Sequence, residues 1–271
     1  MRPKLSICIP TFNFGAFIGA TLDSILSQIT AGVEVVVLDG ASTDDTQVVI
    51  ARFQERYPQV RYYRLPQRGG IDRDMARVVE LSAGEYCWLF SGDDLMRQGA
   101  IARILTLIES GSDAYLCKHT LCTLDMKILG ERAVLDHEPL TTFNLANADE
   151  LRRYFRLAAT TEAFFSFMGS LIVRKDRWES IGLNEDFVGS CWAHVARMFE
   201  LMQGNLVLTY IPEPLLDRRG DNDSFADRGV VNRYKIAIDG YQRLAATFFG
   251  PSSEAAFHVR RVLRNEFGLR M

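Results

Sequence analysis

Apolar residues in this chain come in short runs separated by longer amphipathic stretches. Leu5-Ser6-Ile7-Cys8-Ile9 is a strand-length run that stops at Pro10, and residues 33–38 are nearly all β-branched or aliphatic. Runs of this kind suit strands covered on both faces, because neither face has to meet water. Residues 60–65 and 85–90 repeat the pattern. Between these runs, residues 16–28, 72–83 and 97–109 carry helical spacing. Ser42, followed three residues later by Asp45, reads as a capping-box-like start for a further helix to about Tyr57. Strand and helix therefore alternate four times in about 110 residues. That alternation predicts an α/β fold with a doubly wound, mostly parallel sheet.

The second half is less regular. Residues 114–123 and 170–174 read as strands, with a helix over 151–157 between them and a loop over 182–201 that runs into another helix. Residues 212–229 hold Pro212, Pro214, Gly220 and Gly229 among many charges, the composition of a mobile connection. From about Val230 the pattern is helical and amphipathic. The predicted division is a domain over 1–215, itself split near residue 110, followed by a loop and helical appendage over 216–271.

Composition narrows the function classes. At 271 residues with a net charge of -3, the chain suits one large domain and gives no electrostatic reason to expect nucleic acid. The five cysteines are odd in number and form no Cys-x-x-Cys pair, which suggests reduced, buried thiols and a cytoplasmic setting. The N-terminus enters a strand directly, without a signal-peptide pattern. The longest apolar stretch, 163–173, contains Ser166 and Ser170 and is too short to span a bilayer. The tail is basic: Arg228, Arg233, Lys235, Arg243, Arg260, Arg261, Arg264 and Arg270 face only Asp239, Glu254 and Glu266.

In doubly wound sheets, ligands bind at the carboxyl ends of the strands. Three polar clusters fall there: Pro10-Thr11-Phe12-Asn13, Asp39-Gly40-Ala41-Ser42 and Ser91-Gly92-Asp93-Asp94. Adjacent carboxylates at the end of a buried strand repel one another unless something positive sits beside them. A hard divalent cation, Mg²⁺ or Mn²⁺, fills that role at Asp93 and Asp94 and can bridge to a phosphate oxygen. The plainer reading is that one of the pair caps the helix near Arg97.

These clusters, in this order and spacing, resemble the GT-A-fold glycosyltransferases of family 2. That family has a Pro-Thr-Tyr-Asn-like turn, an Asp-Asp-Gly-Ser-Thr-Asp-like strand end and a Gly-Glu-Tyr segment leading to paired aspartates. Here they read Pro10 to Asn13, Leu38 to Asp45, and Gly84-Glu85-Tyr86 through Asp94. The runs 74–81 and 219–225 are similar to the abequosyltransferase-like branch, associated with O-antigen sugars. The resemblance implies a nucleotide-diphospho-sugar donor, bound mainly by residues 1–110, and a glycan acceptor, often lipid-linked, served by residues 111–215. Phe12 would stack on a base and Asp39 would accept from its edge; core packing and helix capping are the ordinary alternatives. Asp72 and Arg73 follow a Gly69-Gly70 pair that lets a ligand approach closely. Arg73 would reach the diphosphate and Asp72 a ribose or base. Arg218 and Arg219 open a polar loop suited to closing over phosphate oxygens.

Transfer to a hydroxyl calls for a general base. The family supplies a carboxylate from a Glu-Asp pair before a helix. Glu185-Asp186 looks like that pair but comes early, and aligned from Gly182 the position falls at Ala193-His194. Both Asp186 and His194 are therefore candidates. Two other functions share parts of this layout: a sugar-nucleotide-forming nucleotidylyltransferase, whose basic Gly-rich turn is missing at Phe12-Asn13-Phe14-Gly15, and a non-catalytic nucleotide-sugar-binding protein. The basic tail, with Val259, Val262, Leu263 and Phe267 between its arginines, fits either a helix resting on anionic lipid at the inner face of the plasma membrane or one packed on this domain or a second subunit.

Overall fold

The computed structural model describes residues 2–136, 139–222 and 229–268. Asp223, Ser224, Phe225, Arg228 and Arg270 of the stretches singled out above lie outside them. The strands are β1 (Leu5–Thr11), β2 (Val33–Asp39), β3 (Val60–Arg64), β4 (Tyr86–Leu89), β5 (Leu95–Met96), β6 (Ala114–Cys122), β7 (Ile128–Glu131), β8 (Thr141–Asn144), β9 (Leu171–Arg174) and β10 (Val207–Arg218). The α-helices are α1 (Ile18–Leu26), α2 (Thr46–Arg56), α3 (Ile71–Leu81), α4 (Ala100–Leu107), α5 (Ala148–Leu157), α6 (Lys175–Glu179), α7 (Ala193–Gln203), α8 (Gly229–Phe249) and α9 (Glu254–Phe267).

One mixed sheet runs β3-β2-β1-β4-β9-β6-β10-β5, with β7 beside β6 and β8 beside β10. β3, β2, β1 and β4 are mutually parallel, as the alternating pattern predicts. β9 is antiparallel to both its neighbours, while β6 and β10 run parallel to each other. Side chains that alternate along β1 separate two cores: Leu5, Ile7 and Ile9 join the one with α1, α2 and α4, and Cys8 joins the one with α3, α5, α7, α8 and α9. Burial on both faces explains the uninterrupted apolar runs.

Three expectations need correction. Ser42 does not begin a helix: α2 starts at Thr46, and the Asp44 carboxylate satisfies the Thr46 N–H at 3.0 Å. Pro212 and Pro214 lie within the long strand β10, whose register against β6 shifts at those points, so the segment is an ordered strand to Arg218. The boundary expected after residue 215 falls inside that strand, and α8 and α9 contribute Tyr241, Leu244, Val259, Val262 and Leu263 to the larger core. The apolar residues of the tail are thus packed on this domain. Arg261 donates to the carbonyls of Arg156 and Ala158 at the end of α5, at 3.0 and 2.7 Å. Among the described residues no helix is long and apolar enough to cross a membrane.

Candidate active site

The turn after β4 carries the paired aspartates, and both are buried. Asp93 accepts hydrogen bonds from the Ser91 hydroxyl and, at 2.8 Å, from Asn222 Nδ2. Asp94 Oδ1 accepts from the Arg219 backbone N–H at 2.8 Å. Its Oδ2 is buried and has no hydrogen-bond partner. Burial pushes the Asp94 carboxyl well above the usual carboxylate range and Asp93 pushes it further, while the Arg219 N–H and the Arg218 and Arg219 charges oppose. Neither aspartate caps a helix, since α4 begins only at Ala100 behind Gly99. Gly92 is required in this turn: a Cβ there would stand 2.9 Å from the Phe14 ring and 3.0 Å from Thr11 Oγ1. That Thr11 hydroxyl, at the end of the neighbouring strand, is likewise buried without a partner. Orphaned buried oxygens of this kind call for a partner such as a water, an ion or a ligand. Hard carboxylate oxygens fit Mg²⁺ or Mn²⁺. Among the described residues no group of three or more His, Cys, Asp or Glu side chains is placed to hold a metal.

The ends of β1 to β3 form the adjoining wall. Pro10 and Thr11 close β1 against Leu38 and Asp39 of β2. Asn13 ties the two loops together by accepting from the Thr43 N–H and donating its own N–H to Ser42 Oγ, each at 2.8 Å. Phe12 is half-buried, with the Arg68 guanidinium 4.1 Å over its ring. Asp39 is fully buried and already accepts from the Ser42 N–H and the Tyr62 hydroxyl, each at 2.7 Å, with Arg64 at 3.7 Å. The Ser42 bond shapes this turn and does not cap α2. Asp74, at the start of α3, fits its carboxylate against Gly40 and Gly69, where added Cβ atoms would approach within 2.9 and 2.8 Å. Burial raises its pKa to about 6; Arg68 opposes and Asp39 adds to the rise.

The structure gives Asp72 and Arg73 work within the protein. Asp72 accepts from the backbone N–H groups of Gly189, Cys191 and Ala193 at 2.8–3.0 Å, fixing the loop into α7. Its carboxylate is committed to that loop and not to an open groove. Arg73 forms a two-pronged ion pair with Glu185 at 3.1 and 2.6 Å. Of the two candidate bases, Asp186 is exposed on that loop. His194 lies in the first turn of α7 and is buried. Its Nε2 faces the Phe165 carbonyl at 3.0 Å, and its Nδ1 has no partner. With Nε2–H as the donor, Nδ1 holds a free lone pair. Burial lowers the His194 pKa, which keeps the ring neutral, while Asp72 and the Phe165 carbonyl oppose.

The two arginines of the β10 end diverge. Arg219 turns to the aspartates: Nε donates to the Asp93 carbonyl at 2.8 Å, and the guanidinium lies 4.9 Å over the Phe17 ring. Arg218 lies 5.0 Å over Phe167 and 3.8 Å from Glu162. Arg68, Asp74 and Glu162 were not singled out as site residues by sequence reasoning. Arg68 and Asp74 flank the Gly69-Gly70 pair, a usable signal, because glycines there admit close neighbours. Glu162 has no such signal, being one acid in an apolar stretch.

Residues 6–159 match the model of Glycosyl transferase family 2. Over 269 residues the chain is 32% identical to the abequosyltransferase RfbV of Salmonella typhimurium (strain LT2), covering 97% of this chain and 80% of that protein. It is 25% identical over 190 residues to the GalNAc(5)-diNAcBac-PP-undecaprenol beta-1,3-glucosyltransferase of Campylobacter jejuni, covering 69% of this chain and 57% of that one. The solved structure of S. aureus TarS 1-349 in complex with UDP-GlcNAc superposes with a TM-score of 0.71 at 16% identity, over 98% of this chain and 73% of that one. The mannosyltransferase PcManGT from Pyrobaculum calidifontis, in complex with GDP-Man and Mn2+, gives 0.60 at 19% identity over 100% and 77%. These structural likenesses establish the shared fold, and the sequence matches establish descent: the chain belongs to glycosyl transferase family 2 and is a glycosyltransferase of GT-A fold.

Proposed function

We propose that the enzyme moves a sugar from a nucleotide-diphospho-sugar to a hydroxyl of a lipid-linked glycan in the synthesis of O-antigen or another surface polysaccharide, with a divalent metal and with inversion at the anomeric carbon. The observation that carries this reading is Asp94 Oδ2, buried and unpartnered beside Asp93 at the carboxyl end of β4. Similarity to an abequosyltransferase over 97% of the chain supports the choice of glycan, and the undecaprenol in the name of the second relative supports a lipid-linked acceptor. Such an acceptor calls for an enzyme working in the cytoplasm against the membrane's inner face.

Each residue then has a defined task. Asp93 and Asp94 would hold Mg²⁺ or Mn²⁺, which supplies positive charge where the departing diphosphate gathers negative charge. Arg219 adds a fixed guanidinium next to that pair. Phe12 and Arg68 offer a flat face for the base, and Asp39 offers acceptor oxygens at its edge if Tyr62 gives way. His194 takes the acceptor proton on Nδ1, since burial holds the ring neutral. Asp186 is the second reading for this role, favoured by its exposure.

Release of nucleoside diphosphate from UDP-, GDP-, CDP- and dTDP-sugars, with Mn²⁺ or with EDTA, tests the proposal. The expected result is turnover of one donor class that EDTA abolishes. Failure of every donor both to turn over and to raise the melting temperature would overturn it.

A further inference from the structure

A cavity of about 340 Å³ between the loop that enters α7 and one face of α8 has no role in the proposed chemistry. Small-ligand sites span roughly 300–1,000 Å³, so it lies at the lower end of that range. Its loop wall is held in place. Asp72 accepts from three backbone N–H groups there, those of Gly189, Cys191 and Ala193. Cys191 keeps a φ of 73°, a conformation that a non-glycine residue adopts only where its surroundings impose it. The half-buried Trp192 is pinned to the opposite wall, its Nε1 donating to the Ile236 carbonyl of α8 at 3.0 Å. Gly240 is required beside it, because a Cβ there would overlap the indole.

The helix wall is polar. Asn232, Lys235, Asp239 and Arg243 follow one another at three- and four-residue steps, so they share one face of α8, and all four line the cavity. The Asn232 amide Nδ2 is buried and has no hydrogen-bond partner, so it calls for an acceptor. The Arg243 guanidinium lies 4.6 Å over the Phe187 ring. At 1.5 Å of rise per residue, Lys235 and Arg243 stand about 12 Å apart along the helix with Asp239 midway. One phosphate cannot meet both cations without also meeting that carboxylate. A neutral saccharide suits the set better. Its C–H face can lie on an indole, and its hydroxyls both donate to a carboxylate and accept from an amide.

We propose that this cavity is a saccharide subsite for one unit of the acceptor glycan, with Trp192 as its platform and Asn232 and Asp239 as the groups that meet the sugar hydroxyls. This rests on the transfer to a glycan proposed above. The loop that forms one wall runs directly into His194, whose ring centroid lies 6.3 Å from that of Trp192. A sugar on Trp192 is therefore close to the candidate base. On this account the acceptor side extends into α8, beyond the 111–215 segment expected from the sequence.

Trp88 and Trp178 are fully buried, so Trp192 reports on the cavity by its fluorescence. The test is a fluorescence titration of the full chain with the methyl glycosides of glucose, galactose, mannose, rhamnose and N-acetylglucosamine, and with inorganic phosphate. At least one glycoside is expected to give a saturating change at about millimolar concentration, the range for so small a ligand, and phosphate none. Asp239→Ala and Asn232→Ala are each expected to raise the Kd of that glycoside about fivefold, the scale of one hydrogen bond. In both variants the affinity for the nucleoside diphosphate is expected to stay within about twofold, which a general structural defect would not allow. If Asn232→Ala does not fold, Asp239, which is exposed, carries the test. No response to any glycoside, a response to phosphate alone, or an affinity unchanged in Asp239→Ala overturns the inference, and donor turnover in the same protein leaves the proposed function standing. Glycoside binding that Asp239→Ala weakens, in a protein that turns over no nucleotide-sugar, upholds the subsite and overturns the proposed function.

Discussion

In the parallel half of the sheet, chain order and spatial order nearly coincide; in the mixed half they do not. β1, β2 and β4 each end in the polar cluster that immediately follows them in sequence. A reader of the sequence needs only the alternation rule to bring Thr11, Asp39 and Asp94 to one edge. In the mixed half, Arg219 and Asn222 reach Asp93 and Asp94 across more than 120 residues, because β10 is inserted beside β6 and crosses back to pair with β5. His194 opens α7 just after a loop that Asp72 of the first half fixes. The proposed donor side is thus built from neighbours in sequence, and the rest from distant contacts. Damage to the first half should appear in donor and metal binding, and damage to the second half in the positioning of catalytic groups.

The largest expected effect breaks the first half. Asp94→Asn should lower transfer by about 10³-fold or more, since it removes a proposed metal ligand while relieving repulsion with Asp93. Circular dichroism should show an intact fold, and wild-type-like turnover would sink the assignment. Next comes the second half. His194→Ala should lower kcat about 10²- to 10⁴-fold with donor affinity unchanged. Because burial lowers the His194 pKa, the acidic limb of the wild-type rate profile should lie below the ordinary histidine value near 6.5 and vanish in the variant. If Asp186→Asn shows that behaviour instead, the exposed carboxylate is the base.

Two smaller effects sharpen the contrast. Gly92→Ala forces a Cβ against Phe14 and Thr11 and should cost about 1–3 kcal/mol of stability by chemical denaturation. It should weaken Mn²⁺ binding as well, because the turn that aims the aspartates must shift. His119 offers a purely second-half test. Its folded pKa of about 3 lies below the unfolded value near 6.5, so the unfolded chain binds the extra proton between those limits. Its contribution to stability is therefore full at neutral pH and is lost as pH falls from 6.5 toward 3. Compared with wild type, His119→Gln should lose about 1–2 kcal/mol less between pH 7 and pH 5. The comparison must be made with wild type, because the raised pKa of Asp74 acts in the opposite sense over part of the same range.

What was legible in the sequence follows the same divide. The four parallel strands and their ends could be read because burial on both faces writes continuous apolar runs, and β-α alternation leaves few topologies. The aspartate pair could be read because adjacent acids after a buried strand need an explanation. Asp72 looked like a ligand contact because it follows a glycine pair, yet its partners are N–H groups near residue 190, which no local pattern reveals. Residues 212–218 looked like a loop because prolines cannot donate in a ladder, but register shifts in β10 accommodate them. The tail helix looked fit for a membrane because its arginines and apolar residues share a pattern with core helices; only packing decides between the two.

One measurement bears most directly on the metal-carboxylate assignment: calorimetric titration of wild type and Asp94→Asn with UDP, GDP, CDP and dTDP, each with Mn²⁺ and with EDTA. One nucleotide should bind wild type at least about tenfold more tightly with Mn²⁺, and Asp94→Asn should lose that gain while keeping the metal-free affinity. An Mn²⁺ effect that survives unchanged in Asp94→Asn would contradict it.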